Sequence, residues 1–66
     1  MMVLKPIEKN IMNALYLANK ALTTQKVAER ADISWQTAKN NLEELYRKGH
    51  VDSGKYGKSI YWWIKY

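Results

Sequence analysis

Gln36 and Asn40 are the side chains best equipped to read a patterned surface of donors and acceptors. Each is a primary amide that both donates and accepts, and each can hold the edge of an adenine through two hydrogen bonds. They stand four positions apart, one turn of a helix. Thr37 and Lys39 flank them. A threonine hydroxyl can reach a base edge or a phosphate, and a lysine ammonium can take guanine or a phosphate. A second group is cationic: Lys55 and Lys58 bracket Tyr56 and Gly57. Each lysine can neutralise one phosphate and release its counterion.

Other chemistries find no support. The single His belongs to no nucleophile motif, no glycine-rich phosphate loop is present, and no metal-ligand spacing appears. Glu43 and Glu44 are neighbours. On a helix they point about 100° apart and do not face each other as an acid/base pair would. Cys is absent, so there is neither a disulfide framework nor a thiolate. The expectation is a protein that is not an enzyme and needs no metal or cofactor.

The amides need a helix, and the chain marks one from Trp35 to Lys48. Ser34 is placed to cap it, and Ala38, Leu42 and Leu45 recur at helical spacing. With those three turned inward, Gln36, Asn40, Glu43 and Arg47 point nearly opposite. Arg47 and Lys48 suit the negative end of the dipole, and Gly49 suits a left-handed stop. A shorter helix precedes it, from about residue 24 to 31. Thr23 is its cap, Leu22 and Val27 form a hydrophobic staple, and Val27, Ala28 and Ala31 make a stripe. Asp32-Ile33-Ser34 is the turn between the two. A first helix is expected from about residue 6 to 20, with Pro6 in its first turn and Ile7, Ile11, Ala14, Leu15 and Ala18 on one face. Residues 1–4 read as a lead-in, and Ala21-Leu22 as a possible short strand. After Gly49, residues 50–53 and 59–64 read as strands around a glycine-bearing turn at 54–58. Alternation puts Ile60, Trp62 and Ile64 on the buried face and Tyr61 and Trp63 on the other.

Thr23 to Gly49 together with Val51, "Thr-Thr-Gln-Lys-Val-Ala-Glu-Arg-Ala-Asp-Ile-Ser-x-x-Thr-Ala-x-x-x-Leu-x-x-Leu-x-x-x-Gly-x-Val", resembles the core of winged helix-turn-helix transcription regulators of bacteria, archaea and their viruses. With its flanks the resemblance covers roughly residues 6 to 64. It departs at Lys26, where the family often carries an acid that closes a capping box. The resemblance implies an α+β fold of three helices followed by a two-stranded wing. One domain would span residues 1–66, with the helix-turn-helix at 23–49 and the wing hairpin at 50–64. It also implies a sequence-specific double-stranded DNA-binding protein acting in transcription regulation. Gln36, Thr37, Lys39 and Asn40 then become the base-reading residues in the major groove. Thr24, Lys26, Ser34, Arg47, Lys55, Tyr56 and Lys58 become the phosphate contacts. Trp35 is expected to pack half-buried against the shorter helix or the wing, the alternative being a contact of its indole N–H with the sugar-phosphate backbone. Tyr46 is expected at the core edge, and Asn41 is expected to make a local hydrogen bond. His50 reads as a surface or capping side chain.

The chain has 66 residues and carries a net charge of +5. The charge divides as +2 over residues 1–22, +1 over 23–48 and +2 over 49–66, so the excess lies on the flanks and the wing. A basic balance favours a polyanionic partner. A chain this small buries only about 60% of the surface its unfolded form exposes. Dimerisation would help, and Met12, Tyr16, Tyr61 and Trp63 are the candidate contacts for a homodimer spanning two half-sites. No apolar run reaches the roughly 18 residues of a membrane span, so a cytoplasmic location is expected, with no membrane partner. No sensory domain and no small-molecule ligand are expected. The alternative is a winged-helix module that binds another protein and not DNA, since one fold serves both purposes.

Overall fold

The computed structural model describes residues 4–66, so of the lead-in expected over residues 1–4 only Leu4, which is in neither helix nor strand, falls within the described residues. The order is α1 (Pro6–Ala18), β1 (Leu22–Thr23), α2 (Thr24–Ala31), α3 (Trp35–Arg47), β2 (Val51–Tyr56) and β3 (Ser59–Ile64). Three helices followed by an antiparallel hairpin is the winged-helix arrangement inferred from the sequence. The sheet gains a third strand, in the order β1-β3-β2, with Leu22 opposite Trp62 and Thr23 opposite Tyr61. The short strand therefore lies one residue later than Ala21-Leu22.

Each helix stops for a local reason. α1 ends at Ala18 and not near residue 20, because Asn19 turns left-handed at φ 53° and sends its N–H to the Leu15 carbonyl. Asn is among the few residues that tolerate this conformation. α2 ends the same way at Asp32, φ 56°, with the Ile33 N–H reaching back to the Ala28 carbonyl at 3.0 Å. After α3, Gly49 sits at φ 82°, and the N–H groups of Gly49 and His50 bond to Tyr46 and Leu45. This double bond pattern satisfies carbonyls that a helix end otherwise leaves orphaned. The two expected N-caps are present. Thr23 Oγ1 accepts from the Lys26 N–H at 3.1 Å, and Ser34 Oγ accepts from the Thr37 N–H at 3.2 Å.

The hairpin turn is tighter than expected. Gly54, Lys55 and Tyr56 continue β2, and Tyr56 pairs with Ser59, leaving only Gly57 and Lys58 at the tip. Gly57 has φ +64°, the conformation such tight hairpins demand. Gly54 is in the strand for a different reason. A Cβ built there would lie 2.9 Å from Cε2 of Tyr56 and 3.1 Å from Cη2 of Trp63, so two rings occupy the space a side chain would need.

Ile11, Leu15, Leu22, Val27, Ala28, Ala31, Ala38, Leu42, Leu45, Val51 and Trp62 form one buried cluster. Ile60 and Ile64 pack against it, so the inward face of β3 is the one the alternation gave. Three side chains depart from expectation. Met12, taken as an exposed dimer contact, packs against this same cluster. Tyr46 is half exposed and not a core-edge residue. His50 is half-buried, and its Nε2 has no hydrogen-bond partner among the described residues.

A polar link between the first and last helices completes the frame. Glu8 is 0% exposed. Its carboxylate accepts from the Lys5 N–H at 2.9 Å and from Lys48 Nζ at 3.0 and 3.1 Å. Burial pushes the Glu8 pKa up, but the Lys5 N–H and the Lys48 ammonium together outweigh it and hold the group below its ordinary value. Asn10 adds a second tie, donating to the Ala31 carbonyl at 2.9 Å and fixing α1 to the end of α2.

Candidate nucleic-acid interface

The exposed face of α3 is built as its spacing predicts. Gln36, Asn40, Glu43 and Arg47 all lie in solvent, opposite buried Ala38, Leu42 and Leu45. Gln36 Nε2 donates to Asn40 Oδ1 at 2.9 Å. This bond leaves the Gln36 carbonyl oxygen and the Asn40 amino group free, an acceptor and a donor side by side on one helical turn. Asn41 makes the expected local bond, donating to the Thr37 carbonyl at 2.8 Å. Thr37 is less free than its neighbours, because its hydroxyl oxygen accepts from Ser34 Oγ at 2.8 Å. Lys39 is also engaged. Its Nζ lies 5.4 Å from the centre of the Trp35 ring and 3.8 Å from a Glu43 carboxylate oxygen. That position favours a tethered cation over a free base reader, since cation–π contact and ion pairing both hold it against the helix.

The candidate phosphate contacts divide into three groups. Thr24 is corrected outright. It is 5% exposed, and its hydroxyl accepts from the Trp62 indole N–H at 2.8 Å. A buried indole N–H needs a partner, and the first residue of α2 supplies it. Replacing Thr24 by Val removes the acceptor at nearly constant volume and strands the indole. The expected result is a loss of about 1–3 kcal/mol in stability, read by urea denaturation, with no effect on any ligand that touches only α3.

Lys26, Ser34 and Arg47 are exposed but already partnered. Lys26 lies 3.6 Å from Glu29, Ser34 caps α3, and Arg47 pairs with Glu44 one turn back. The Arg47 hydrogen bond is the main cause that holds the Glu44 carboxyl below its ordinary value. Exposed pairs of this kind are worth little and exchange readily for phosphate. Lys48, grouped in the sequence with Arg47, turns instead to Glu8.

Lys55, Tyr56 and Lys58 remain free of ion pairs among the described residues, at or beside the hairpin tip. Lys58 shares a groove with Thr23, Gln25, Trp35 and Ile60, between the start of α2, the start of α3 and the wing. A second groove runs between α3 and the hairpin, lined by Lys39, Glu43, Tyr46, Arg47 and Ser53 among others. Lys58 and the starts of α2 and α3 thus border one groove.

Comparison with solved structures shows the fold. The chain superposes on the PcaV transcriptional regulator of Streptomyces coelicolor with a TM-score of 0.86 at 22% identity, over 94% of this chain and 45% of that one. It is similar to the homodimeric winged helix-turn-helix DNA-binding domain Mb0332 of Mycobacterium bovis, a possible ArsR-family transcriptional regulator. There the TM-score is 0.78 at 24% identity, over 88% of this chain and 52% of that fragment. It also matches part of human N-acetylserotonin methyltransferase, with a TM-score of 0.80 at 15% identity, over 89% of this chain and 17% of that enzyme. The chain therefore spans about half the length, or less, of these structures. No family model matches the sequence, and no curated protein is similar to it in sequence. The fold is a winged helix-turn-helix. None of the described helices is long and apolar enough to cross a membrane.

Proposed function

We propose that this chain binds double-stranded DNA in a sequence-specific way and acts in transcription regulation. The observation that carries the reading is the exposed Gln36–Asn40 pair, bonded at 2.9 Å on the outward face of α3. Two amides with a free acceptor and a free donor suit the edge of an A·T pair in the major groove. Lys55 and Lys58 on the wing take phosphates on either side, and Arg47 exchanges Glu44 for phosphate at the far end of the helix. The regulators of Streptomyces coelicolor and Mycobacterium bovis support the same use of the fold.

The bound form is a homodimer, as the Mycobacterium bovis domain is described to be. Of the four contact residues inferred from sequence, Tyr16 is the most open, 66% exposed on α1 beside the exposed Leu17. Two copies about one helical turn of DNA apart predict a palindromic site.

Fluorescence anisotropy of a labelled mixed-sequence duplex, titrated at several salt concentrations, tests the reading. The logarithm of the affinity is expected to fall linearly with the logarithm of salt, with a slope of roughly −0.9 per phosphate contacted. Absence of binding at low salt would leave the fold as a protein-binding module.

A further inference from the structure

The sheet has an outer face that carries Tyr56, a candidate phosphate contact of the wing, and Tyr61 and Trp63, candidate dimer contacts, but none of the base-reading residues of α3. Alternation along the strands places Tyr56, Tyr61 and Trp63 on it, away from buried Trp62. The three rings form one surface. Tyr56 and Tyr61 meet edge to face, with centroids 5.9 Å apart at 66°. Tyr56 and Trp63 both lie over Gly54, whose missing side chain makes room for them. Tyr56 remains 63% exposed.

Cations border this surface. Lys20, Lys26 and Arg30 line one groove together with Tyr61. Lys20 and Arg30 form no ion pair among the described residues, while Lys26 reaches Glu29 at 3.6 Å. The only acid in the strands of the described residues is Asp52; it shares this face, opposite Trp63 on the edge strand across β3 from β1, and its carboxylate accepts from the Ser53 N–H. On α2, Lys26 and Arg30 turn to this side, whereas Gln25 turns to the groove shared with Trp35 and Lys58. The aromatic–basic face and the α3 face are therefore separate surfaces.

We propose that the outer sheet face binds single-stranded nucleic acid, with unpaired bases stacked on Tyr61 and Tyr56 and the backbone held by Lys20 and Arg30. Two features choose this occupant. Aromatic faces beside a line of cations match the alternation of bases and phosphates in an unpaired strand. A second copy of the chain matches less well, because a two-fold contact sets the same basic patch on both sides of the interface. The inference uses none of the residues on α3, and Lys20, Arg30 and the α3 amides therefore separate it from the duplex reading even though Tyr56 and Tyr61 occur in both.

The test is anisotropy with a labelled oligothymidylate of about 12 nucleotides, within the span of known single-strand sites. The wild-type chain is expected to bind it. Tyr61→Ala is expected to weaken binding about 5- to 150-fold, the range for losing one stacked base. Lys20→Ala with Arg30→Ala is expected to lower the salt slope by about 1.4, for two phosphates on a single strand. Gln36→Ala with Asn40→Ala leaves this binding unchanged. If Tyr61→Ala unfolds, Tyr61→Leu keeps the apolar bulk while removing the stacking ring, and the charge variants read out independently. The proposal is overturned if the oligothymidylate does not bind at low salt, or binds equally after the Tyr61 and charge changes. It is also overturned if Gln36→Ala with Asn40→Ala removes that binding, or if light scattering shows Tyr61→Ala converting a dimer to a monomer. Failure of either kind leaves the duplex titration unaffected.

Discussion

Replacing Lys48 by Met is expected to lower the melting temperature by at least about 12 °C at neutral pH. The variant keeps most of the side-chain volume and removes the ammonium from a carboxylate that is 0% exposed. Breaking one half of a buried ion pair costs about 3–5 kcal/mol, because the other charge stays behind uncompensated. Lys48 keeps 24% of its side-chain surface, so water already solvates it in part, and the lower end of that range applies. In a domain of this size about 1 kcal/mol moves the melting temperature by about 4–8 °C. The whole fold is worth only about 0.05–0.15 kcal/mol per residue, so this one contact is a large share. Glu8→Gln combined with Lys48→Met should recover part of the loss, since no charge is then buried and the amide oxygen still accepts from the Lys5 N–H. Thermal melts followed by circular dichroism decide the matter. A Lys48→Met midpoint within about 4 °C of wild type, under about 1 kcal/mol, would show that Glu8 does not depend on its partner.

The same pair sets the acid limit of the fold. The Glu8 pKa in the folded chain lies below its ordinary value of 4.5, so folding favours the charged form. Its contribution is complete above the unfolded pKa and is lost as pH falls through the lowered folded value. Glu29 and Glu44 shift in the same direction but keep much of their side-chain surface in water, whereas Glu8 is 0% exposed, so Glu8 dominates the trend. Stability should be flat from neutral pH to about pH 5 and decline below it. In Lys48→Met the lowering contributions of the ammonium disappear and the raising effect of burial remains. The acid decline should therefore shrink.

The helices were legible because their signals are local. Thr23, Ser34 and Gly49 act within one turn of where they stand, and Ala38, Leu42 and Leu45 fix the inward side of α3 by spacing alone. Contacts between distant positions were not legible. Glu8 reads as an ordinary first-turn acid, and its partner Lys48 stands 40 positions later and reads as an ordinary last-turn cation. Thr24 reads as an open helix-start hydroxyl until Trp62, 38 positions on, supplies an indole N–H that needs it. Gly54 was misplaced for a related reason. Glycine ordinarily signals a turn, but here it clears space for Tyr56 and Trp63, and the strand runs on. At the candidate site the spacing gave the outward face of α3. It gave no sign that Lys39 is tethered between Trp35 and Glu43, because that depends on rotamers.

Removing both amides, Gln36→Ala with Asn40→Ala, is expected to abolish discrimination between a selected site and a random duplex while leaving the salt slope unchanged. Each good bidentate contact is worth about 1–3 kcal/mol against the wrong base. One such contact, made jointly by the two amides in each half of a dimeric site, is lost in both halves, and specific binding falls toward the non-specific level. The single changes should not add. Gln36 Nε2 bonds to Asn40 Oδ1, so losing either amide releases the other to rotate and blurs its reading as well. Each single variant should therefore lose most of what the double variant loses. Lys39→Ala should matter less than either, because Trp35 and Glu43 already hold that ammonium. The wing gives the opposite pattern. Lys55→Ala with Lys58→Ala should weaken all duplexes alike and reduce the slope by about 1.8 per chain, for two phosphates lost. Competition titrations of specific against random duplex at several salt concentrations separate the two effects. If the amide changes altered the slope and the lysine changes altered the preference, the assignment of reading to α3 and clamping to the wing would be reversed. If neither set changed either quantity, duplex DNA would not be the ligand of this face.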